Sequence, residues 1–179
     1  MVFAAVAEDF NLDGADDLYL GRWNQPDLVL LNNGSGQFRQ YSREFGLDDL
    51  DTDARDISQP NENTMGLGVG DLFENGYPDI FIGTGDPRRE DPNILYRIGP
   101  NRRFVRCTEL LMSSASSPYR TRGHGAAFAE VNHDGRTDLF VNLGGHVRWD
   151  VGHHRDSRQQ GALYIRPAVE SVSTATITL

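Results

Sequence analysis

Residues 65–82 read MGLGVGDLFENGYPDIFI, and this stretch recurs in altered form at residues 3–20 (FAAVAEDFNLDGADDLYL) and 124–141 (HGAAFAEVNHDGRTDLFV). In each segment, small or apolar residues precede a polar loop with one central glycine, and a short apolar run follows. Asp9, Asp71 and Glu130 open the three loops, 62 and then 59 residues apart. Self-similarity at a nearly fixed period is typical of a repeat architecture.

The apolar runs after the loops predict β-strands, because they are short and rich in β-branched and aromatic residues. Each repeat contains two further candidate strands, at 28–31 and 38–41, at 94–97 and 104–108, and at 163–165 and 175–179. Four strands in a repeated unit predict a blade of a β-propeller. A single β-sandwich is the alternative, but it does not explain why the same acidic loop occurs three times.

The predicted fold is therefore all-β, a partial β-propeller of about three four-stranded blades. Blade 1 covers about 1–46, blade 2 about 64–112 and blade 3 about 122–179, with a linker at about 47–63. Propellers typically close with about four to eight blades, so three blades leave two open edges. We expect a fragment of a larger propeller, completed by the remainder of a longer chain or by self-association of copies through the open edges.

The composition limits the function classes. Asp and Glu number 26 against 17 Lys and Arg, which gives a net charge of -9. The phosphates of a nucleic acid would repel such a chain, so no nucleic-acid partner is expected. The sequence has no run of about 18 apolar residues, so no insertion into a membrane is expected either. Cys107 is the only cysteine, which excludes an intrachain disulfide. The first residues lack the basic region of a secretory signal peptide.

The first acidic loop has the composition of a calcium site. Residues 9–17 follow the pattern D-x-N-x-D-G-x-x-D, which places oxygen-bearing side chains at positions one, three, five and nine. Calcium takes about six to eight oxygen ligands, and backbone carbonyls can supply some of them. The predicted ligands are Asp9, Asn11, Asp13, Ala15 (carbonyl) and Asp17; Asp71, Asn75, Tyr77 (carbonyl) and Asp79; and Glu130, Asn132, Asp134, Arg136 (carbonyl) and Asp138.

Two alternatives compete with a strand–loop–strand calcium site. An EF-hand needs a glutamate at position twelve, where these loops have Leu20, Ile82 and Val141 in apolar runs, so that alternative fails. Asp and Asn also form turns without any metal, and this alternative stays open. Because Phe73 replaces a ligand at position three, we expect the first loop to bind best, the third next, and the second weakly or not at all.

The repeats resemble the FG-GAP/VCBS repeats of integrin-like propellers, and more closely the repeats that precede an ASPIC/UnbV domain, as in the cartilage acidic protein family. The resemblance rests on the stretches MGLGVGDLFENGYPDIFIGTGDP, PNILYR, FVRCTEL, RGHGAAFAEVNHDGRTDLFVNLGGH and GALYIRPA. It implies a β-propeller with calcium in the blade loops, an extracellular, periplasmic or cell-surface location, and a binding or adhesion role without catalysis.

Three functions are compatible with these observations. The first is a calcium-binding module that recognises an unknown protein or carbohydrate ligand. The second is part of a propeller enzyme, such as a polysaccharide lyase or glycosidase, with His124, Asp150, His153 and His154 lining a site on the rim. The third is a structural spacer in a surface protein. The sequence favours the first, because solvated histidines are common in polar loops.

Overall fold

The computed structural model describes residues 1–23, 25–47, 63–84, 93–108, 122–144, 160–165 and 173–178. The twelve elements assigned within them are all strands: β1 (Val2–Glu8), β2 (Asp17–Arg22), β3 (Leu28–Asn32), β4 (Phe38–Gln40), β5 (Thr64–Gly70), β6 (Asp79–Thr84), β7 (Ile94–Ile98), β8 (Phe104–Arg106), β9 (Arg122–Ala129), β10 (Asp138–Gly144), β11 (Gln160–Ile165) and β12 (Ser173–Thr178). No helix in this described part is long and apolar enough to cross a bilayer.

The strands form three four-stranded antiparallel sheets, in each of which the spatial order follows the chain. We call β1–β4 the first sheet, β5–β8 the second and β9–β12 the third. The predicted all-β fold is confirmed, and the strands that follow the loops fall where the apolar runs predict them. The architecture is that of a partial β-propeller, and no closed ring is seen in the described residues.

The second sheet lies between the other two, and its strand β5 contacts both β1 and β9. Every residue of β6 is buried as a result. Ile80 and Ile82 on one face pack against residues of the first sheet, such as Tyr19. Phe81 on the other face packs with Leu139 of the third sheet. Because both faces of β6 are covered, its central residues 80–82 are apolar without alternation.

Phe104 stands at the centre of the core between the first and second sheets, with 4% of its surface exposed. Its ring centroid lies 5.8 Å from that of Tyr19, 5.6 Å from Phe45, 5.6 Å from Tyr96 and 6.5 Å from Phe10. Its backbone N–H also donates to the carbonyl of Phe45 at 2.9 Å. The segment after β4 is therefore fastened to the edge strand β8 of the second sheet.

Strands β5 and β9 lie so close together that β5 has no room for side chains on the face toward β9. A β-carbon added at Gly68 would lie 2.8 Å from the Cβ of Ala126, and one at Gly70 would lie 2.5 Å from the Cβ of Phe128. The two contacts advance along both strands in the same direction, so β5 and β9 run parallel. The loops that follow these two strands consequently emerge at the same end of the molecule.

Candidate metal loops

The three acidic loops each connect the first two strands of a sheet. The first loop (residues 9–17) joins β1 to β2, the second (71–79) joins β5 to β6, and the third (130–138) joins β9 to β10. Leu20, Ile82 and Val141, at position twelve of each loop, lie within β2, β6 and β10. No helix flanks a loop, which agrees with the exclusion of an EF-hand.

The three loops share one backbone conformation, which local sequence explains. Their fourth and sixth residues have positive φ angles: Leu12 58°, Glu74 51° and His133 63°, then Gly14 89°, Gly76 78° and Gly135 79°. Glycine adopts such angles without steric strain, whereas a residue with a Cβ does so at a cost that surrounding bonds must offset. The loop carboxylates supply such bonds.

Asp9 organises the first loop by accepting backbone hydrogen bonds. Its Oδ1 accepts the N–H of Asp13 at 3.0 Å, and its Oδ2 accepts the N–H of Gly14 at 2.7 Å. Asp13 in turn accepts the N–H of Ala15 at 3.0 Å. These bonds curl the backbone around the first carboxylate, which is the conformation an Asx turn favours.

The second loop repeats this arrangement with one amide in place of a carboxylate. Asp71 accepts the N–H groups of Asn75 at 3.0 Å and of Gly76 at 2.8 Å. The Oδ1 atom of Asn75 accepts the N–H of Tyr77 at 2.9 Å. The first and second loops therefore differ in their side chains rather than in their backbone hydrogen bonds.

The third loop begins with a longer side chain and is held differently. A single oxygen of Glu130, Oε1, accepts the N–H groups of Asn132 at 3.0 Å, of Asp134 at 3.2 Å, and also of His133. Asp134 accepts the N–H of Arg136 at 2.9 Å, as Asp13 does in the first loop. The extra methylene of Glu130 thus preserves the turn but concentrates the bonds on one oxygen.

The ninth residue of the first loop, Asp17, is fully buried. Its Oδ2 accepts the N–H of Phe10 at 3.1 Å, and its Oδ1 accepts the N–H of Asn32 at 2.8 Å. Burial raises the pKa of Asp17, the two N–H donors oppose that rise, and the carboxylates of Asp13 and Asp9 add to it. A bound cation would lower the pKa by favouring the charged form.

Asp79 occupies the same position in the second loop and is also fully buried. It accepts the N–H of Phe73 at 3.0 Å and the N–H of Ile98, at the end of β7, at 3.3 Å. Burial raises the pKa of Asp79 to about 7 against the opposing effect of these donors. Asp138 is likewise fully buried and accepts the N–H of Val131 at 3.2 Å. The ninth carboxylate therefore closes each loop.

Asn11, the third residue of the first loop, has an unsatisfied oxygen. Its side chain is 6% exposed, and its Nδ2 donates to Asp13 at 2.8 Å. Its Oδ1 is buried and accepts no hydrogen bond from any described residue. An unpaired buried oxygen costs about 1–3 kcal/mol. A hard cation prefers such an atom as a ligand, so the donor set of this loop fits calcium.

The second loop has no oxygen-bearing side chain at its third position. Phe73 stands at its third position and packs against the core between the second and third sheets. The guanidinium carbon of Arg97 lies 5.0 Å from the centroid of that ring. The Nδ2 atom of Asn75 donates to the carbonyl of Ile98 at 2.7 Å. Apolar packing and a positive charge on β7 hold this loop, and its residues fit calcium poorly.

Across the described residues, no three Asp, Glu, His or Cys side chains converge at one point suited to a metal. The prediction of calcium ligands therefore stays a prediction, with Asn11 as its structural support. Of the residues considered for an enzymatic site, His124 is exposed on β9, whereas Asp150, His153 and His154 lie outside the described residues. The contacts of Asn32 and Ile98 with the loop carboxylates were not predicted from the sequence.

Comparison with known proteins agrees with this geometry. A family profile described as an FG-GAP-like repeat matches residues 9–82, from the first loop to the middle of β6. Residues 9–82 are therefore similar to an FG-GAP-like repeat. The chain is also 26% identical over 139 residues to cartilage acidic protein 1 of Xenopus tropicalis, an alignment that covers 76% of this chain and 20% of the relative. The resemblance predicted from the repeats is confirmed, and the chain spans about a fifth of that relative's length.

Proposed function

We propose that this FG-GAP-like chain is a calcium-binding β-propeller module with a non-catalytic role in binding or adhesion. The single observation that supports it best is the buried Oδ1 atom of Asn11, which accepts no hydrogen bond within the part of the chain that the structure describes. That oxygen lies in the same loop as three carboxylates, those of Asp9, Asp13 and Asp17. Burial and mutual repulsion raise the pKa of Asp17 in that loop, and a divalent cation would relieve both.

The first loop would hold the ion through Asp9, Asn11, Asp13 and Asp17, together with the carbonyl of Ala15. Calcium would supply positive charge that neutralises the three carboxylates of the loop, and its binding would add stability by mass action. The third loop would bind a second ion more weakly, because Glu130 is one methylene longer than Asp9 and holds its loop through a different set of hydrogen bonds. The second loop would remain metal-free, because Phe73 occupies its third position.

The binding role rests on the family and on the arrangement of the loops. The relative is named for cartilage, which supports a location outside the cell and a ligand among surface or matrix proteins or carbohydrates. The second and third loops emerge at one end of the molecule and could present their exposed residues to such a ligand. Extracellular modules bind calcium with a Kd of about 10⁻⁴–10⁻³ M, and we expect the first loop to lie in that range.

Calorimetric titration with calcium, paired with thermal melts in calcium and in chelator, tests the proposal. We expect one dominant calcium site and a higher Tm in calcium. Asn11→Ala should abolish most of the Tm increase, yet change the Tm in chelator little, because it removes an unsatisfied oxygen along with one hydrogen bond. Asn75→Ala is the matched control: it should lower the Tm in both buffers and leave the calcium effect intact. Equal melting temperatures of the wild-type chain in the two buffers would contradict the proposal.

A further inference from the structure

The turn between β3 and β4 contains an asparagine followed directly by a glycine, Asn33 and Gly34. This pair suits a tight turn, because both residue types tolerate positive φ angles. Asparagine is also chemically labile, and a following glycine has no side chain to shield its amide nitrogen from the asparagine side chain. The sequence has one other such pair, Asn75–Gly76 in the second loop, which allows a comparison.

The side-chain oxygen of Asn33 accepts three hydrogen bonds. Ser35 donates its backbone N–H at 3.0 Å and its hydroxyl at 2.7 Å, and Gln37 donates its backbone N–H at 3.3 Å. Attack on the adjacent carbon would move negative charge onto this oxygen, and donors already aimed at it stabilise such charge. The attacking atom would be the nitrogen of Gly34, whose N–H donates to the neutral amide oxygen of Asn32 at 3.1 Å.

The same dipeptide in the second loop is held in a different way. Among the described residues, the Oδ1 atom of Asn75 accepts one hydrogen bond, from the N–H of Tyr77 at 2.9 Å, and its Nδ2 is bound to the carbonyl of Ile98 at 2.7 Å. The N–H of Gly76 donates to the carboxylate of Asp71 at 2.8 Å, so loss of its proton would bring two negative charges together. Only the first pair therefore combines a neutral neighbour with several donors to the oxygen.

Access of water to the turn of Asn33 follows from its place in the sheet. The equivalent turn of the second sheet, between β7 and β8, is exposed at residues 100–103. Phe104 follows that turn directly and packs against Phe45, with ring centroids 5.6 Å apart. A neighbour packed on this hairpin thus leaves the tip of the turn open to solvent. Asn33 is exposed in the same way, whereas Asn75 is half-buried.

We propose that Asn33 is a site of spontaneous deamidation, promoted by the donors of Ser35 and Gln37. The nitrogen of Gly34 loses its proton to a solvent base and forms a bond to Cγ of Asn33. The bond from Cγ to Nδ2 breaks, and Nδ2 takes a proton from water and leaves as ammonia. One water molecule then opens the resulting cyclic imide at either carbonyl, which yields aspartate or isoaspartate. Water is the only co-reactant, and no calcium is required.

The modification would change the surroundings of the first loop. Asn32 connects the hairpin to that loop, because its N–H donates to Oδ1 of Asp17 at 2.8 Å and its Nδ2 donates to the carbonyl of Asp16 at 3.1 Å. Either product adds a negative charge next to Asn32. Isoaspartate also inserts a methylene into the main chain, inside the turn that the N–H of Asn33 closes on the carbonyl of Gln37 at 3.1 Å.

Peptide mapping by mass spectrometry, after incubation of the chain in chelator at mildly alkaline pH, tests the proposal. In the folded chain, Asn33 should be converted several times faster than Asn75. In denaturant the two identical dipeptides lose their different hydrogen bonds, so the rate at Asn75 should rise and the rate at Asn33 should not. A folded chain in which Asn33 reacts no faster than Asn75, or more slowly than in denaturant, overturns the proposal.

Substitution of Ser35 separates the donors from the sequence of the dipeptide. Ser35→Ala should slow the conversion of Asn33 by roughly tenfold in the folded chain, the effect of losing one hydrogen bond to a developing charge. The rate in denaturant should stay the same. Ser35→Thr keeps the hydroxyl and is the matched control, with far-UV circular dichroism to verify the fold of both variants. Equal rates in the folded alanine and threonine variants would exclude a role for the hydroxyl.

Discussion

Gly66 lies directly against the backbone of His124, and a β-carbon at residue 66 would overlap the carbonyl oxygen of His124. The two residues belong to the inner strands of neighbouring sheets, β5 and β9. Neither the dihedral angles of Gly66 nor a turn requires glycine there, since the residue lies within an extended strand. The requirement comes from the closeness of the next sheet, because backbone packs directly against backbone where the two inner strands meet.

We expect Gly66→Ala to lower the free energy of unfolding by about 3 kcal/mol, the upper part of the range for overpacking, because backbone atoms must move. Gly125→Ala is the matched control, since it stands at the equivalent position with open space around its Cβ. It should change the stability of the single chain by less than about 0.5 kcal/mol. Chemical denaturation at a concentration where the chain is monomeric measures both. Similar losses in the two variants would contradict the close contact of β5 with β9.

Replacing Phe104 by alanine should cost about 3–5 kcal/mol, the range for deletion of a large buried aromatic side chain. The ring contacts four other aromatic rings between the first and second sheets. Phe38, which is 44% exposed on the edge strand β4, provides the control of identical chemistry. Phe38→Ala should cost less than about 1 kcal/mol. Urea unfolding of the two variants tests whether the sheets are joined through Phe104.

Asp9→Ala and Asp71→Ala separate the metal from the turn. Both carboxylates accept the N–H groups of the fifth and sixth loop residues, so both substitutions should lower stability in chelator by about 1–2 kcal/mol. Only Asp9→Ala should weaken calcium binding, by more than about tenfold, because it removes a charged ligand from the first loop. Calorimetry measures the affinity. An equal loss of affinity in both variants would mean that the second loop binds calcium too.

The stability of the chain in chelator should depend on the ionisation of Asp79. Its pKa is about 7 in the folded chain, against an ordinary value of 3.8. The folded state therefore holds a proton that the unfolded state has released between these values, and stability from this group falls as the pH rises through that window. The slope is at most about 1.4 kcal/mol per pH unit.

Subtracting the pH profile of Asp79→Asn from that of the wild type isolates this contribution, because the other titrating groups are shared. The wild type should lose stability relative to the variant between about pH 4 and pH 7. Denaturant titrations at several pH values supply the two profiles. A difference that is constant with pH would show that the backbone donors of Phe73 and Ile98 keep Asp79 ionised throughout.

The sequence by itself determined the local structure of this protein. The spacing from Asp9 to Asp17, and its recurrence at Asp71 and Glu130, predicted where each loop lies and that strands flank it. Such features depend on neighbours along the chain: glycine at the sixth position permits the positive φ angle, and alternating or continuous apolar runs form strands. The four-stranded repeat unit and the family resemblance were predicted from the same local pattern.

Only the tertiary structure decided which atoms are buried and what they meet there. It fixed the fully buried position of Asp17 beside the N–H of Asn32, fifteen residues away in sequence, and left the Oδ1 atom of Asn11 without a donor among the described residues. It also explained why residue 66 is a glycine, because the backbone of a strand more than fifty residues away leaves no room for a Cβ there. These properties depend on how sheets pack against one another, and the local sequence pattern does not determine that packing.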